Sequence, residues 1–161
     1  MSKAVLLSRD ASAADTGDVP FESALLRSIV MATPAKIELD PEPIAQQWIL
    51  SGAPVARSKN LVRSKDLTST VVVWDCTAGS FRWHYRQDET IIVMSGEAFL
   101  MLENGEERRI GPGDVGFFPA GTTCTWRVAD YILKVAVLRE SMWRPLGYCL
   151  KAWKKIIQML G

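Results

Sequence analysis

Glu89 is the residue of this sequence whose surroundings point most directly to chemistry. It follows the run Phe81-Arg-Trp83-His84-Tyr85-Arg86, in which aromatic residues alternate with basic ones. Since successive side chains of a strand point to opposite faces, Trp83 and Tyr85 share a face that we expect to be inward, whereas His84 faces solvent. A carboxylate on the aromatic face must be paired, hydrogen-bonded to a ligand, or protonated.

Two basic residues are candidate partners for Glu89. Lys134 lies in the alternating run Ile132-Leu-Lys-Val-Ala136, and Arg127 lies a few residues before it. An ion pair without activity is one interpretation of Glu89. The other is a ligand-anchoring or general-base carboxylate whose pKa is raised by burial. The walls of such a pocket would be Trp83, Tyr85 and Trp126.

Cys124 is a candidate nucleophile that lacks a base. A catalytic thiol needs a neighbouring group that lowers its pKa, and the single histidine of the sequence, His84, is expected on the outer face. We therefore expect Cys124 to be a buried packing thiol. The three cysteines include no CxxC pair, which argues against a disulfide framework and against a zinc knuckle. No Ser-His-Asp arrangement or glycine-rich phosphate loop is present either.

The elements that would position these residues are short strands. From Val55 onward, apolar residues recur with a period of two between turn residues, which indicates an antiparallel all-β barrel or sandwich. Asn104-Gly105 predicts a type I′ hairpin turn, whose two central residues need positive φ. Pro119-Ala-Gly121 ends another strand by removing a ladder donor. The predicted strands lie near 55–63, 69–77, 80–85, 90–95, 97–103, 107–110, 114–118, 122–128 and 131–139.

The length and the net charge of the chain limit the classes of protein to which it can belong. A chain of 161 residues has the usual length of one domain, and a net charge of +1 with 23% charged residues creates no field that favours nucleic acid. No apolar run reaches the roughly 18 to 20 residues of a membrane span, and the N-terminus does not resemble a secretory signal. We therefore expect a soluble cytoplasmic protein that does not bind nucleic acid.

Further segments flank the predicted barrel. Residues 1–19 are small and polar, which predicts a mobile tail, and Pro20 opens a predicted short helix that ends at Thr33-Pro34. After three prolines, Trp48-Ile49-Leu50 is expected to anchor a surface loop. The predicted division is a tail, short helix and arm over 1–51, a barrel over 52–140 and a C-terminal helix over 141–161.

The predicted C-terminal helix has a strong apolar face. Lysines fill the opposite side, so the pattern is that of an amphipathic helix. Two roles are open: the helix packs on the barrel or a partner subunit, which we favour, or residues 146–160 attach peripherally to an anionic membrane surface. The apolar face consists of Leu146, Cys149, Leu150, Trp153, Ile156, Ile157 and Leu160.

Several motifs together resemble the small cupins of the ureidoglycine aminohydrolase type. They are the run from Trp74 to Tyr85 followed by Glu89-Thr90, then Gly113-Asp114, Pro119-Ala-Gly121 and Cys124-Thr-Trp126. The resemblance covers roughly residues 52–140. It implies an RmlC-like jelly-roll barrel of the cupin superfamily, often dimeric, and does not by itself specify a reaction.

The same resemblance raises the question of a metal. Metal-dependent cupins present two histidines two residues apart, then a glutamate, and a distant histidine after the second turn. Counted back from Glu89, Trp83 and Tyr85 stand at the two histidine positions, and Cys124 stands at the last. Three of four ligands are thus replaced. We expect no metal and no other cofactor, with a set of His84, Glu89 and Cys124 as the alternative.

The leading hypothesis is a cupin module that binds a small polar metabolite in the mouth of the barrel and forms a homodimer. A metal-dependent, amidohydrolase-like enzyme acting on ureido compounds is the alternative that the resemblance implies. A dimeric scaffold with a filled interior is the structural alternative. No catalytic residue is assigned. The predicted ligand-binding residues are Trp83, Tyr85, Glu89, Cys124, Trp126 and Lys134.

Overall fold

The computed structural model describes residues 29–140 and 144–160. The predicted tail lies outside these residues, as does most of the predicted helix that begins at Pro20. Its predicted end is not helical, since residues 29–33 are irregular and the first turn of 3-10 helix begins at Pro34. Thr33 is extended, as expected of a residue that precedes proline, because the proline ring disfavours the helical region there.

One antiparallel sheet of eight strands forms the body of the protein. The strands pair in the order β1-β3-β4-β8-β5-β6, with β2 added to β4 and β7 added to β5, which agrees with the predicted all-β architecture. A helix, α1 (Arg144–Leu160), follows the sheet as predicted. The strands are β1 (Asp40–Pro41), β2 (Ile49–Gly52), β3 (Ala56–Arg63), β4 (Ser69–His84), β5 (Asp88–Met101), β6 (Glu107–Ile110), β7 (Val115–Phe118) and β8 (Thr123–Arg139).

Three of these strands are longer than predicted. The predicted breaks within β4, β5 and β8 are wrong, because each strand continues through an irregularity in its pairing. In β4 the register shifts between Thr77 and Gly79, and in β5 it shifts on either side of Gly96. Such bulges bend a strand without ending it, so the turn-forming residues at these positions curve the barrel.

The bulge in β4 also changes which residues face the core. Before it, Trp74 and Cys76 are buried in the core cluster, and after it Phe81 and Tyr85 are buried there. The inward positions thus change from even to odd numbers along one strand. This shift puts the aromatic run on the inside, as its alternation predicted.

The hairpin between β5 and β6 lies where it was predicted, but its type differs. The amide of Gly105 donates to the Leu102 carbonyl at 2.9 Å, and the amide of Leu102 donates to the Glu106 carbonyl at 2.9 Å. Of the two central residues predicted for a type I′ turn, only Gly105 has positive φ, at 82°. Asn104 instead accepts the Glu106 amide through its side chain, so the turn is a three-residue loop that ends in a glycine bulge.

Candidate functional site

A cavity of about 380 Å³ opens at one end of the barrel. One side is formed by the end of β4, the turn that follows it and the start of β5, which contribute Trp83, Tyr85 and Glu89 respectively. The other side is formed by the segment before β2, which contributes Ile44 and Trp48. Three of the six predicted ligand-binding residues therefore line one cavity, and the N-terminal arm supplies the facing wall.

The arm is held by aromatic contacts. The short 3-10 turn Gln46–Trp48 directs Trp48 against Trp83, with ring centroids 5.7 Å apart and planes inclined at 73°. An edge-to-face arrangement of this kind stabilises a pair by about 0.5 to 1.5 kcal/mol beyond the area that it buries. The predicted apolar anchor of the arm is present. Trp48 makes the contact with the barrel, whereas Leu50 is exposed.

Glu89 lies at the base of the cavity and is paired with Lys134. The Lys134 Nζ donates to Glu89 Oε1 at 2.6 Å, and the two side chains are only 6% and 8% exposed. Each charge is costly to bury alone, and together they offset much of that cost. The second predicted partner, Arg127, is not near Glu89 because it pairs with Glu107 on the outer surface.

Lys134 is further stabilised by two indole rings. Its Nζ lies 4.8 Å from the ring centroid of Trp74 and 4.9 Å from that of Trp126. The face of an indole attracts a cation, and the attraction is stronger where water is excluded. The two rings thus form an aromatic cage around the Lys134 ammonium group, and Trp126 belongs to this cage and not to the cavity wall.

Glu89 keeps hydrogen-bonding capacity towards the cavity. Lys134 is its one hydrogen-bond partner within residues 29–140 and 144–160, and Glu89 also lines the cavity. An ionised carboxylate has about four acceptor positions. The remaining positions are available to N–H or O–H donors of a molecule that enters.

Tyr85 presents a neutral phenol beside this carboxylate. Its hydroxyl accepts a hydrogen bond from Trp126 Nε1 at 3.0 Å, and its ring stacks on Phe118 at 4.5 Å. Burial, together with the nearby charge of Glu89, raises the pKa of Tyr85 far above its ordinary value. The phenol therefore stays protonated and holds its position as a rigid wall.

Trp74 carries a buried donor whose partner is not supplied by the described residues. Its Nε1 is inaccessible and makes no hydrogen bond there, while its ring centroid lies 6.2 Å from that of Trp83. An unmet buried donor costs about 1 to 3 kcal/mol, so such groups in proteins usually meet a water molecule or a ligand. Nothing in the sequence distinguished Trp74 from an ordinary core tryptophan.

Cys124, a predicted wall residue, is buried in the core cluster and does not line this cavity. It stands opposite Trp83 in the sheet, and its Sγ donates to the Met101 carbonyl at 3.4 Å. Burial, with a smaller contribution from Glu103, raises the pKa of Cys124 to about 11. The thiol is therefore protonated at neutral pH, as a packing residue would be.

The alternative metal-binding residues are not assembled. His84 is exposed at the rim, with Nδ1 3.1 Å from Thr123 Oγ1, whereas Glu89 points to Lys134. Over the described ranges, no three histidine, cysteine, aspartate or glutamate side chains converge as metal ligands would.

Comparison with known proteins identifies the type of domain. Residues 63–136 match the model of the EutQ-like cupin domain family. No curated protein sequence matches the chain.

Several solved protein structures that are similar to this chain cover more of it than the family model does. A DUF861-family protein of unknown function from Pseudomonas syringae is 28% identical with a TM-score of 0.59, over 64% of this chain and 45% of that one. The chain thus spans less than half the length of that relative.

Two more distant structures share the fold. The EutQ protein of Clostridium difficile is 19% identical with a TM-score of 0.50, over 63% of this chain and 83% of its own. The polyketide cyclase RemF of Streptomyces resistomycificus is 16% identical with a TM-score of 0.53, over 71% and 81%. At these identities the likeness extends to the jelly-roll fold and no further.

Proposed function

We propose that this protein, which belongs to the cupin superfamily, binds a small polar molecule in the cavity between its barrel and its N-terminal arm. The observation that supports this proposal is that Glu89 lines an aromatic-walled cavity while it is paired with the buried Lys134.

The lining defines the chemistry of the ligand. Glu89 offers acceptor positions, so the buried end of the ligand should carry N–H or O–H donors. Trp48 and Trp83 offer apolar ring surface, so the other end should be flat or aliphatic. A small amine, amide or ureido compound has both properties.

Two other functions remain as alternatives without a specific observation in their favour. A metal-dependent amidohydrolase acting on ureido compounds rests on the resemblance of the sequence motifs. A scaffold without a ligand would need the cavity to be filled by side chains. Both are tested by the same binding experiment.

The test is a thermal-shift screen of small amines, amides, ureido compounds and organic acids, with each hit confirmed by isothermal titration calorimetry. We expect a donor-bearing compound to raise the melting temperature, because a ligand at about 100 times its Kd stabilises the folded state by about 2.7 kcal/mol. The variant E89Q should weaken the binding of that compound at least tenfold. Repeating the titration with EDTA tests the metal-dependent alternative.

Two controls make the result interpretable. Glu97 lies on the same strand in an exposed ion pair with Arg109, so E97Q should bind as the wild type does. If E89Q alone unfolds because Lys134 is left buried without its carboxylate, the double variant E89Q/K134M replaces it, since it removes both buried charges together. No hit, or a hit that binds equally to these Glu89 variants, would contradict the proposal.

A further inference from the structure

The described side chains on the apolar face of helix α1 are uncovered. None of its described side chains is buried, and those on the apolar face range from Leu150 at 45% exposed to Trp153 at 61%. A continuous exposed face of this kind normally marks a surface that meets another molecule. The prediction that the helix packs on its own barrel therefore does not hold in the described chain.

The charge of the C-terminal helix indicates which kind of molecule its apolar face meets. Residues 144–161 contain three lysines and one arginine and no acidic residue, although the whole chain has a net charge of only +1. Lys151 and Lys155 are exposed one turn apart, on the side of the helix opposite Trp153. A second copy of this helix would cover the apolar face but would offer these lysines no carboxylate.

An anionic lipid surface matches both faces. Its headgroups attract the lysines, each contributing about fivefold to binding, and its acyl boundary accepts the apolar side chains. Helices that lie in the membrane interface have this combination of a basic polar face and an apolar face that contains tryptophan. No helix within the described ranges is long and apolar enough to cross a bilayer.

We propose that helix α1 lies in the plane of an anionic membrane surface, with Trp153, Ile156 and Ile157 in the lipid and Lys151 and Lys155 among the headgroups. The barrel then stands at the surface as a peripheral domain. This proposal does not depend on the ligand of the cavity.

Cys149 provides a direct probe of this contact. It lies on the apolar face and is exposed, whereas the other two cysteines of the chain, Cys76 and Cys124, are buried. A thiol-reactive, environment-sensitive fluorophore can therefore be attached to Cys149 of the full chain. The labelled protein is mixed with vesicles of phosphatidylcholine alone, or with vesicles that also contain about one third phosphatidylserine.

With the anionic vesicles we expect a blue shift of the fluorophore and co-sedimentation of the protein, both weakening as salt is added. W153E should abolish both signals. K151Q/K155Q should weaken binding about fivefold for each lysine removed. F117E is the matched control, because Phe117 is as exposed as Trp153, at 61%, but lies on β7 of the barrel.

Three outcomes would overturn the proposal. One is the absence of binding to either kind of vesicle. Another is a concentration-dependent blue shift without vesicles, together with a dimer in analytical ultracentrifugation that W153E converts to a monomer. That result would assign the apolar face to a second copy of the chain. Equal loss of vesicle binding in F117E and W153E would also count against a helix-specific contact.

Discussion

At the scale of single residues, the charges of Glu89 and Lys134 control the interior of the barrel. The lysine is surrounded by its carboxylate and by the rings of Trp74 and Trp126, so that water is replaced by one anion and two aromatic faces. Removing one charge leaves the other buried without compensation, whereas removing both leaves an apolar interior. The two kinds of variant should therefore differ strongly in stability.

We predict that K134M lowers the free energy of unfolding by about 3 to 5 kcal/mol, because it leaves Glu89 buried without its cation. The double variant E89Q/K134M should recover most of this loss. Urea unfolding, followed by circular dichroism, measures the full double-mutant cycle. R127M, which removes one member of an exposed pair with Glu107, serves as the control and should cost at most about 1 kcal/mol. A K134M variant as stable as this control would show that the buried pair contributes little.

At the scale of elements, the bulges decide which side chains meet in the site. Gly96 has φ of +72°, and a Cβ there would lie 2.0 Å from the backbone oxygen of Tyr131. The close approach of β5 and β8 at this point depends on the absence of a side chain. Because β5 also carries Glu89, and β8 also carries Lys134, a shift here would disturb the ion pair.

We predict that G96A is severely destabilising, by more than about 3 kcal/mol, since it combines backbone strain with an overlap that β8 can relieve only by moving. G113A is the matched control. Gly113 also has positive φ, at +89°, but a Cβ there would have no atom within 4 Å. Its cost should be that of the backbone conformation alone, about 1 to 2 kcal/mol. Thermal unfolding of the two variants compares them, and equal losses would refute the role given to the contact with Tyr131.

At the scale of the whole molecule, the barrel and helix α1 contribute differently. The buried core belongs to the strands, to Tyr85 directly after β4 and to Ile44 of the arm, and none of the described helix side chains joins it. The arm closes the cavity by packing Trp48 on Trp83, whereas the helix carries a surface that the barrel does not use. Stability and the two proposed binding activities should therefore be separable.

We predict that a chain ending at Glu140 unfolds within about 0.5 kcal/mol of the full chain, because little buried apolar surface is lost. It should also keep any ligand found for the cavity and lose its binding to anionic vesicles. Chemical unfolding and the two binding assays test these expectations on one preparation. A loss of more than about 2 kcal/mol would mean that the helix packs on the barrel in solution. In that case W48A, which opens the arm, distinguishes the effect of the cavity on ligand binding from the effect of the helix on stability.

The sequence by itself determined the features that depend on local periodicity. Alternation of apolar residues predicted the antiparallel strands, Asn104-Gly105 located a hairpin, and the spacing of apolar residues after Pro145 predicted helix α1. Alternation along a strand also predicted the inward placement of Tyr85 and offered Lys134 or Arg127 as the partner of Glu89, and the structure pairs Glu89 with Lys134.

Only the tertiary structure decided which of these residues meet. Glu89 and Lys134 are 45 residues apart, and Trp48 reaches Trp83 from another part of the chain. Such contacts depend on strand register and on bulges, and a shift of one residue turns each side chain to the opposite face. Cys124 shares a face of the sheet with its cross-strand partner Trp83, as the sequence suggested, but packing buries it in the core cluster and it does not line the cavity. The sequence also gave no sign that Trp74 would be left with an unmet donor.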